Sequence, residues 1–251
     1  MEKLAYYLPE TVEGKNILIT GGTTGIGKAS ALLLASLGAN VMIFGRHKEE
    51  LDVALEELEK TGSSNAFGMI ADVSDIKAVE KVFKRFDKEF GTLDVLINNA
   101  ALSYGSVEEG SHEERDYLLS TNVNGYLMCA HEAAKRMKKN GNGHIINIGS
   151  MSAVSKDDGS SVYVATKSAI QGFSTSLRKE LNPHNIKVTL IEPGAVFTEM
   201  QKGSREELEK KVDDEEMLEA KDIAGAVLFC LSQPNRCSIV SLQIKPLMQK
   251  I

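Results

Sequence analysis

The sequence contains no tryptophan, five prolines and only three cysteines, Cys129, Cys230 and Cys237. An odd number of cysteines without metal-like clustering predicts reduced thiols, and neither a disulfide framework nor a metal site. No stretch approaches the roughly 18 uncharged apolar residues of a membrane span. Residues 1–13 also lack the apolar segment of a signal peptide. These absences predict a cytoplasmic protein with no membrane partner.

Basic residues are not in excess either. The 29 Lys and Arg residues are outnumbered by 35 Asp and Glu residues, which gives a net charge of −6 and a pI of about 5.5. Because the basic residues are also spread along the chain, no nucleic-acid surface is expected. At 251 residues the chain is long enough for one α/β domain with a sizeable core. We therefore predict a single domain over residues 1–251.

Short apolar runs alternate with helical patterns along the chain. The runs predict strands over residues 17–19, 40–45, 65–70, 93–97, 144–148, 186–191 and 238–245. Helices are predicted over residues 28–37, 48–60, 75–89, 112–138, 161–181 and 221–232. The charged segment 201–220 is predicted either as a mobile flap over the site or as a solvated helix. The alternation indicates an α/β fold, a doubly wound parallel sheet of about seven strands.

Three glycines, Gly21, Gly25 and Gly27, separate the first apolar run from the first helix. Without Cβ atoms the backbone can turn tightly there and approach a pyrophosphate, whose charge is met by free N–H groups at the helix N-terminus. A triphosphate-binding loop would need Ser or Thr directly after Lys28, and Ala29 stands there. The turn therefore favours a dinucleotide, although a purely structural glycine turn remains open.

The end of the second predicted strand carries Arg46, where an acidic residue would bind the ribose 2′-hydroxyl of NAD. An arginine can pair with a 2′-phosphate and stack on adenine, so Arg46 favours NADP over NAD; the alternative is a solvated loop charge. Asp72 follows the third strand and is expected to accept a hydrogen bond from the adenine amino group. Alternatively, Asp72 or Ser74 caps the next helix.

Ser150, Tyr163 and Lys167 follow the fifth strand or lie on the helix after it, which brings them towards the edge of the sheet where the glycine turn lies. Tyr163 and Lys167 are four residues apart and project from one face of the helix. A phenol titrates near pH ~10, and a neighbouring ammonium favours its phenolate. The pair thus predicts an acid/base for hydride transfer between an alcohol and a carbonyl, with Ser150 holding the substrate oxygen. The same spacing also occurs by chance on many helices.

Residues 121–125 interrupt the long predicted helix 112–138, because Asn122 and Gly125 are poor helix-interior residues. An amide side chain at this point can hold a kink or a water molecule. The alternative is that the helix simply tolerates these residues.

With these motifs in order, the sequence resembles the short-chain dehydrogenase/reductase family over nearly its whole length. The matching motifs are Thr20-Gly21-x-x-x-Gly25-x-Gly27, Asp72-Val73, Asn98-Asn99-Ala100, Asn122, Ser150, Tyr163-x-x-x-Lys167 and Pro193-Gly194-x-x-x-Thr198. The family usually has glycine where this chain has Ala101, and commonly serine where it has Gly149. Residues 237–249 are similar to the C-terminus of the NADP-dependent 3-hydroxy acid and serine dehydrogenase group.

The resemblance implies a Rossmann fold and an NADP-dependent oxidoreductase that acts on a small-molecule carbonyl or secondary alcohol. Tyr163 is implied as the catalytic acid/base and Lys167 as its tuning residue. Ser150 is implied to orient the substrate, and Asn122 to support a relay water. The implied cofactor-binding residues are Gly21, Thr23, Thr24, Gly25, Ile26, Gly27, Arg46, Asp72, Val73, Asn99, Ala100, Tyr163, Lys167, Pro193, Gly194, Val196 and Thr198.

Within that set, the resemblance places Val196 and Thr198 at the nicotinamide carboxamide and Asn99 on the adenosine side. It also implies a homotetramer joined partly through the helix at 161–181. Small residues on that helix, Ala165, Ala169 and Gly172, would admit a partner helix, and packing within the monomer explains them equally. Two other functions stay open: an NAD-dependent alcohol dehydrogenase, and a nucleotide-sensing protein without catalysis.

Overall fold

The structure, a computed structural model, describes residues 9–62, 65–201 and 203–249. Residues 1–8, on which the expected lack of a signal peptide partly depends, lie outside the described residues. Within the described ranges, no helix is both long and apolar enough to cross a membrane.

Seven parallel strands form the main sheet, in the order β3-β2-β1-β4-β5-β6-β9. Their bounds are β1 Asn16–Thr20, β2 Asn40–Gly45, β3 Ala66–Ile70, β4 Val95–Asn98, β5 Gly143–Ile148, β6 Ile186–Pro193 and β9 Ser241–Ile244. A separate parallel pair joins β7 Val196–Phe197 to β8 Leu218–Glu219. The predicted doubly wound sheet of about seven strands is confirmed. The strand order reverses between β1 and β4, which is where such sheets open a ligand cleft.

Helices connect the strands on both faces of the sheet. Their bounds are α1 Gly25–Ser36, α2 Lys48–Glu59, α3 Ile76–Phe90, α4 His112–Leu119, α5 Gly125–Asn140, α6 Ser152–Ser155, α7 Ser161–Leu181, α8 Arg205–Asp213 and α9 Ala220–Leu231. Helix α1 begins three residues before its predicted start, so the last two motif glycines belong to its first turn. Short elements such as α6 and the β7–β8 pair were not predicted, because two to four residues carry no readable periodicity.

Strand β1 is buried on both faces, as its continuous apolar run predicts. Ile17 and Ile19 pack into the layer that contains α1, α2 and α9. Leu18 points to the other face and packs with Phe83 and Phe86 of α3. Both faces of the sheet are therefore covered, and functional groups gather at the ends of the strands.

The predicted alternative of a helix cap at Asp72 or Ser74 needs correction. Neither Asp72 nor Ser74 caps α3: the cap is Asp75, whose Oδ1 accepts a hydrogen bond from the Lys77 N–H at 2.8 Å. Asp72 instead accepts from the Ser74 N–H at 2.8 Å and from the Ser74 hydroxyl at 2.7 Å. This closes a turn and leaves the second carboxylate oxygen of Asp72 for other partners.

The predicted interruption of helix 112–138 is confirmed as a π-helical turn over Ser120–Asn124. The Gly125 N–H donates to the Ser120 carbonyl, five residues back, which is the hydrogen bond of a π turn. One extra residue per turn changes the direction in which the flanking side chains project.

Within segment 201–220 lies helix α8, which agrees with the predicted alternative of a helix; that the segment moves over the site stays a prediction. The helix begins with a capping box in which the Ser204 hydroxyl accepts from the Glu207 N–H at 3.2 Å and the Glu207 carboxylate accepts from the Ser204 N–H at 2.8 Å. Leu208 and Met217 are both 6% exposed and anchor the segment to the rest of the protein. The charged pattern concealed these two apolar contacts.

His144 of β5 is buried at the opposite, amino end of the sheet. Its Nε2 lies 2.8 Å from the Thr189 hydroxyl, which itself donates to the Ile239 carbonyl at 2.6 Å. Thr189 must therefore accept from a neutral imidazole that carries its proton on Nε2. Burial, reinforced by Lys187 and Lys15, lowers the pKa of His144 from 6.5 to about 3.

His144 should therefore make the protein sensitive to acid. Since the pKa is lower in the folded than in the unfolded chain, this contribution to stability is complete above pH 6.5 and is lost as the pH falls towards 3. Between pH 7 and pH 5 the parent should lose about 2 kcal/mol of unfolding free energy through this one group. Substitution of His144→Gln, which keeps a donor for Thr189, should remove that loss in urea titrations. Equal pH slopes for the two proteins would contradict the assignment.

Candidate active site

One cleft of about 430 Å³ lies at the carboxyl ends of the strands. It is lined by 17 of the 19 predicted site residues, and the two that do not line it are Gly27 and Asn122. The lining residues from the prediction are Gly21, Thr23, Thr24, Gly25, Ile26, Arg46, Asp72, Val73, Asn99, Ala100, Ser150, Tyr163, Lys167, Pro193, Gly194, Val196 and Thr198. Residues distant in sequence thus meet on one surface, while their roles stay predictions.

The glycine turn allows α1 to sit directly against β1. A Cβ atom on Gly27 would lie 2.1 Å from the Gly21 carbonyl oxygen, so no side chain fits there. Gly21 has φ +61°, and a Cβ on it would lie 2.9 Å from the Ala100 Cα. Gly27 does not line the cleft because it packs between the helix and the turn, beneath the cleft surface.

Gly25 faces the cleft itself. A Cβ there would lie 3.1 Å from Thr198 Cγ2, so a side chain would narrow the space between the turn and the segment after β6. Thr24 is the N-cap of α1, but its side chain makes no capping hydrogen bond. The N–H groups of the first helical turn therefore stay available to an anion in the cleft.

Asn99 ties the glycine turn to β4. Its amide nitrogen donates to the Thr20 carbonyl at 3.1 Å and to the Gly21 carbonyl at 3.0 Å. In return, the Thr20 hydroxyl accepts from the N–H groups of Asn99 and Ala100, each at 2.9 Å. Asn99 lines the cleft as predicted, but its amide is committed to the shape of the turn.

At one end of the cleft three polar side chains form a chain of hydrogen bonds. Arg46 Nη1 donates to the Tyr117 hydroxyl, and that hydroxyl donates to Asp72 Oδ2 at 2.5 Å. Burial raises the pKa of Asp72, but hydrogen bonds from Tyr117 and Ser74 together with the charge of Arg46 outweigh it, so the pKa lies below its usual range. Tyr117 was not predicted as a site residue, because its partners lie 45 and 71 residues away along the chain.

At the other end, Lys167 is 2% exposed and its ammonium donates to the Ile148 carbonyl at 3.0 Å. The Tyr126 hydroxyl donates to the same carbonyl at 2.9 Å. The ammonium also lies 5.6 Å from the ring centre of Tyr126 and 5.8 Å from that of Tyr163. Burial lowers the pKa of Lys167 to about 8.

The tuning of Tyr163 by Lys167 stays a prediction. Burial raises the pKa of the Tyr163 phenol, and a hydrogen bond with Ser150 offsets this only in part. Tyr163 therefore holds its proton at neutral pH.

Asn122 is fully buried behind the cleft wall. Its Oδ1 accepts from the Leu102 N–H at 2.7 Å, and its amide nitrogen donates to the Leu102 carbonyl at 2.8 Å and to the Thr166 hydroxyl at 3.3 Å. Both N–H groups of the side chain and one lone pair of its oxygen are therefore used, and its support of a relay water stays a prediction. Asn122 fixes Leu102, which does line the cleft.

The segment after β6 closes the remaining side of the cleft. The Gly194 N–H donates to the Ile244 carbonyl at 2.7 Å, and the Ala195 N–H donates to Gln249 Oε1 at 3.1 Å. Gly194 has no room for a Cβ, which would lie 2.3 Å from that same Gln249 oxygen. Gln249 is a supporting residue that the sequence reasoning missed.

The cleft fits a bound dinucleotide. Its floor has the glycine turn and the uncapped first turn of α1 for a pyrophosphate. The Thr121 hydroxyl, from a residue of the cleft wall, is buried without a hydrogen-bond partner among the described residues. A ligand that supplies a polar atom would satisfy it. Fold and site together define a dinucleotide-binding protein of the Rossmann type.

Comparisons with known proteins narrow that class. The family model described as short chain dehydrogenase matches residues 15–209. An uncharacterized oxidoreductase from Staphylococcus epidermidis is 33% identical over 236 residues, which cover 94% of this chain and 98% of the relative. The chain belongs to the short-chain dehydrogenase family and is an oxidoreductase of that type.

Solved structures support the fold but do not choose between the two cofactors. The closed form of a serine dehydrogenase complexed with NADP+ is 30% identical, with a TM-score of 0.85 over 94% of this chain and 96% of that chain. A 3-ketoacyl-(acyl-carrier-protein) reductase from Brucella melitensis complexed with NADH is 26% identical, with a TM-score of 0.84 over 94% of this chain and 99% of that chain. Both bind a nicotinamide dinucleotide.

The contact between α1 and the glycine turn can be tested by Gly27→Ala. The added methyl group meets backbone, which cannot move aside cheaply, so the unfolding free energy should fall by about 2 kcal/mol or more and dinucleotide binding should weaken. Gly225→Ala in α9 is the matched control, because a Cβ there has nothing within 4 Å. The control should be neutral or stabilising by up to about 1 kcal/mol. Equal effects of the two substitutions in urea unfolding would contradict this explanation.

Proposed function

We propose that the protein is an NADP-dependent oxidoreductase that transfers a hydride between nicotinamide and a carbonyl or secondary alcohol, with Tyr163 as the acid/base. The observation that carries the proposal is the meeting of Ser150, Tyr163 and Lys167 in the same cleft as the glycine turn and Arg46. A protein that only senses nucleotides has no need of a phenol, a hydroxyl and a buried ammonium together beside the nucleotide site.

Tyr163, Ser150 and Lys167 have different roles in the proposed proton transfer. Bound nicotinamide supplies or accepts the hydride. Tyr163, whose pKa burial raises, holds a proton that it can give to a substrate oxygen as negative charge develops there. Ser150 donates a second hydrogen bond to that oxygen, and Lys167 provides positive charge beside the phenolate that remains.

The acid/base role is tested by Tyr163→Phe, which keeps the ring and removes the proton. Oxidation of NADPH with a responsive ketone or aldehyde should fall by about 10²-fold or more, since general acid catalysis contributes about that much. The dissociation constant for NADPH should stay within about twofold, because the ring still fills its place in the cleft.

Binding can be followed by the fluorescence of NADPH, because the protein has no tryptophan. Turnover by the Tyr163→Phe protein equal to that of the parent would refute the assignment. Tight NADPH binding by the parent without turnover of any ketone, aldehyde or hydroxy acid would favour the nucleotide-sensing alternative.

The choice of NADP over NAD depends on Arg46. This exposed guanidinium follows β2, beside the glycine turn, where the Gly22 N–H donates to the Phe44 carbonyl at 3.3 Å. A 2′-phosphate placed there would gain a charge-assisted hydrogen bond. An NAD-dependent alcohol dehydrogenase would leave the guanidinium without that partner.

Substitution of Arg46→Asp should therefore reverse the preference between the cofactors. Affinity for NADPH should fall by at least about tenfold, because one charge-assisted hydrogen bond is replaced by repulsion, while affinity for NADH should hold or improve. The control is Lys48→Asp, two residues further on. It changes the net charge by the same amount, at a lysine whose ammonium pairs with Asp52. A ratio of NADPH to NADH affinity unchanged by Arg46→Asp would show that Arg46 does not select.

The homotetramer implied by the family stays a prediction. Helix α7 exposes Ala165, Ala169 and Gly172, and a Cβ on Gly172 would have nothing within 4 Å. Packing inside the subunit therefore does not account for these small residues, and a closely approaching partner helix would.

A further inference from the structure

Tyr117 lies between the two side chains expected to grip the adenosine half of the cofactor. Tyr117 is the third-last residue of α4, the helix before the π turn, and it is half-buried. Its hydroxyl accepts from Arg46 Nη1 and donates to Asp72 Oδ2 at 2.5 Å. The Arg46 guanidinium carbon also lies 5.5 Å from the centre of the Tyr117 ring.

Both hydrogen-bonding roles of the phenol are therefore used, which fixes the direction of its O–H bond. Asp72 is held from the other side by the N–H and hydroxyl of Ser74. Arg46 is exposed, and among the described residues the Tyr117 hydroxyl is its hydrogen-bond partner. One side chain thus sets the position of a guanidinium that would otherwise sample many rotamers.

Tyr117 also keeps the guanidinium and the carboxylate apart. The charge of Arg46 acts on Asp72, yet the two side chains form no direct ion pair, and the phenol bridges them. A direct pair would neutralise the cation that a 2′-phosphate needs and would occupy the carboxylate expected to face adenine. The bridging phenol leaves the outer N–H groups of Arg46 free for a phosphate.

We propose that Tyr117 is a specificity-determining positioning residue for NADP, which holds Arg46 ready for the 2′-phosphate and prevents its collapse onto Asp72. This inference rests on the proposed NADP-dependent function. Holding a flexible cation in its binding geometry before the ligand arrives removes an ordering cost from binding, so the benefit should appear only for the ligand that carries the 2′-phosphate.

The test is a double-mutant cycle read as dissociation constants for NADPH and NADH, measured by cofactor fluorescence on the full-length protein. Tyr117→Phe keeps the ring and removes the bridging hydroxyl, and it should weaken NADPH binding about 5- to 10-fold, the size of one net hydrogen bond. NADH binding should change less than about twofold. In an Arg46→Gln background, Tyr117→Phe should have no further effect on NADPH, because the group it positions is gone.

Tyr104→Phe is the matched control, because it removes a phenol hydroxyl that donates to the Glu109 carbonyl at 3.0 Å, outside the set of hydrogen bonds that joins Arg46, Tyr117 and Asp72. It should leave both dissociation constants unchanged. Thermal unfolding of each variant confirms that the comparison is made between folded proteins.

Several results would overturn the inference. Equal weakening of NADPH and NADH by Tyr117→Phe would mean that Tyr117 serves adenine through Asp72, without selecting the phosphate. No weakening, or effects of Tyr117→Phe and Arg46→Gln that simply add, would mean that Tyr117 does not act through Arg46. If the parent prefers NADPH but Tyr117→Phe does not weaken NADPH binding selectively and through Arg46, the role of Tyr117 is wrong and the proposed function still stands. A parent that prefers NADH would remove the proposed cofactor and the role of Tyr117 together.

Discussion

The hydrogen bond from the buried Lys167 ammonium to the Ile148 carbonyl sets the geometry of the reaction site. It joins the second turn of α7 to the last residue of β5. Removing an ammonium from water is costly, and one carbonyl and two aromatic ring faces compensate for it incompletely. The lowered pKa of about 8 reflects the remaining cost. The benefit is positional, because the same contact holds Tyr163, one helical turn away, over the cleft.

The π turn over Ser120–Asn124 relates the two ends of the cleft. Before this turn, Tyr117 reaches Asp72 and Arg46 at one end of the cleft. Within the turn, Asn122 holds Leu102 on the cleft wall. The poor helix formers that interrupt the sequence pattern therefore coincide with an irregularity that the site uses.

Strong periodic patterns made most of the fold predictable. Helix α7 and strand β2 have the predicted bounds, because an uninterrupted helical pattern and a short β-branched run leave little ambiguity. Site residues carried by short motifs were also predictable, since parallel strands deliver their ends to one edge. Tyr117 and Gln249 were not predicted, because their roles depend on contacts between residues distant in sequence. Tyr117 contacts Asp72, and Gln249 contacts Ala195. The raised pKa of Tyr163 was missed for a related reason, because the depth of its burial is a property of the folded chain.

A crystal structure of the protein with NADPH bound is the most direct test of the central claim, that Tyr163 works beside a nicotinamide whose pyrophosphate lies on the glycine turn. The expected result places the reactive carbon of the nicotinamide ring in contact with the side chains of Tyr163 and Ser150, at about 4 Å, and the pyrophosphate at the first turn of α1. A ring bound away from Tyr163, with the pyrophosphate off the glycine turn, would contradict it.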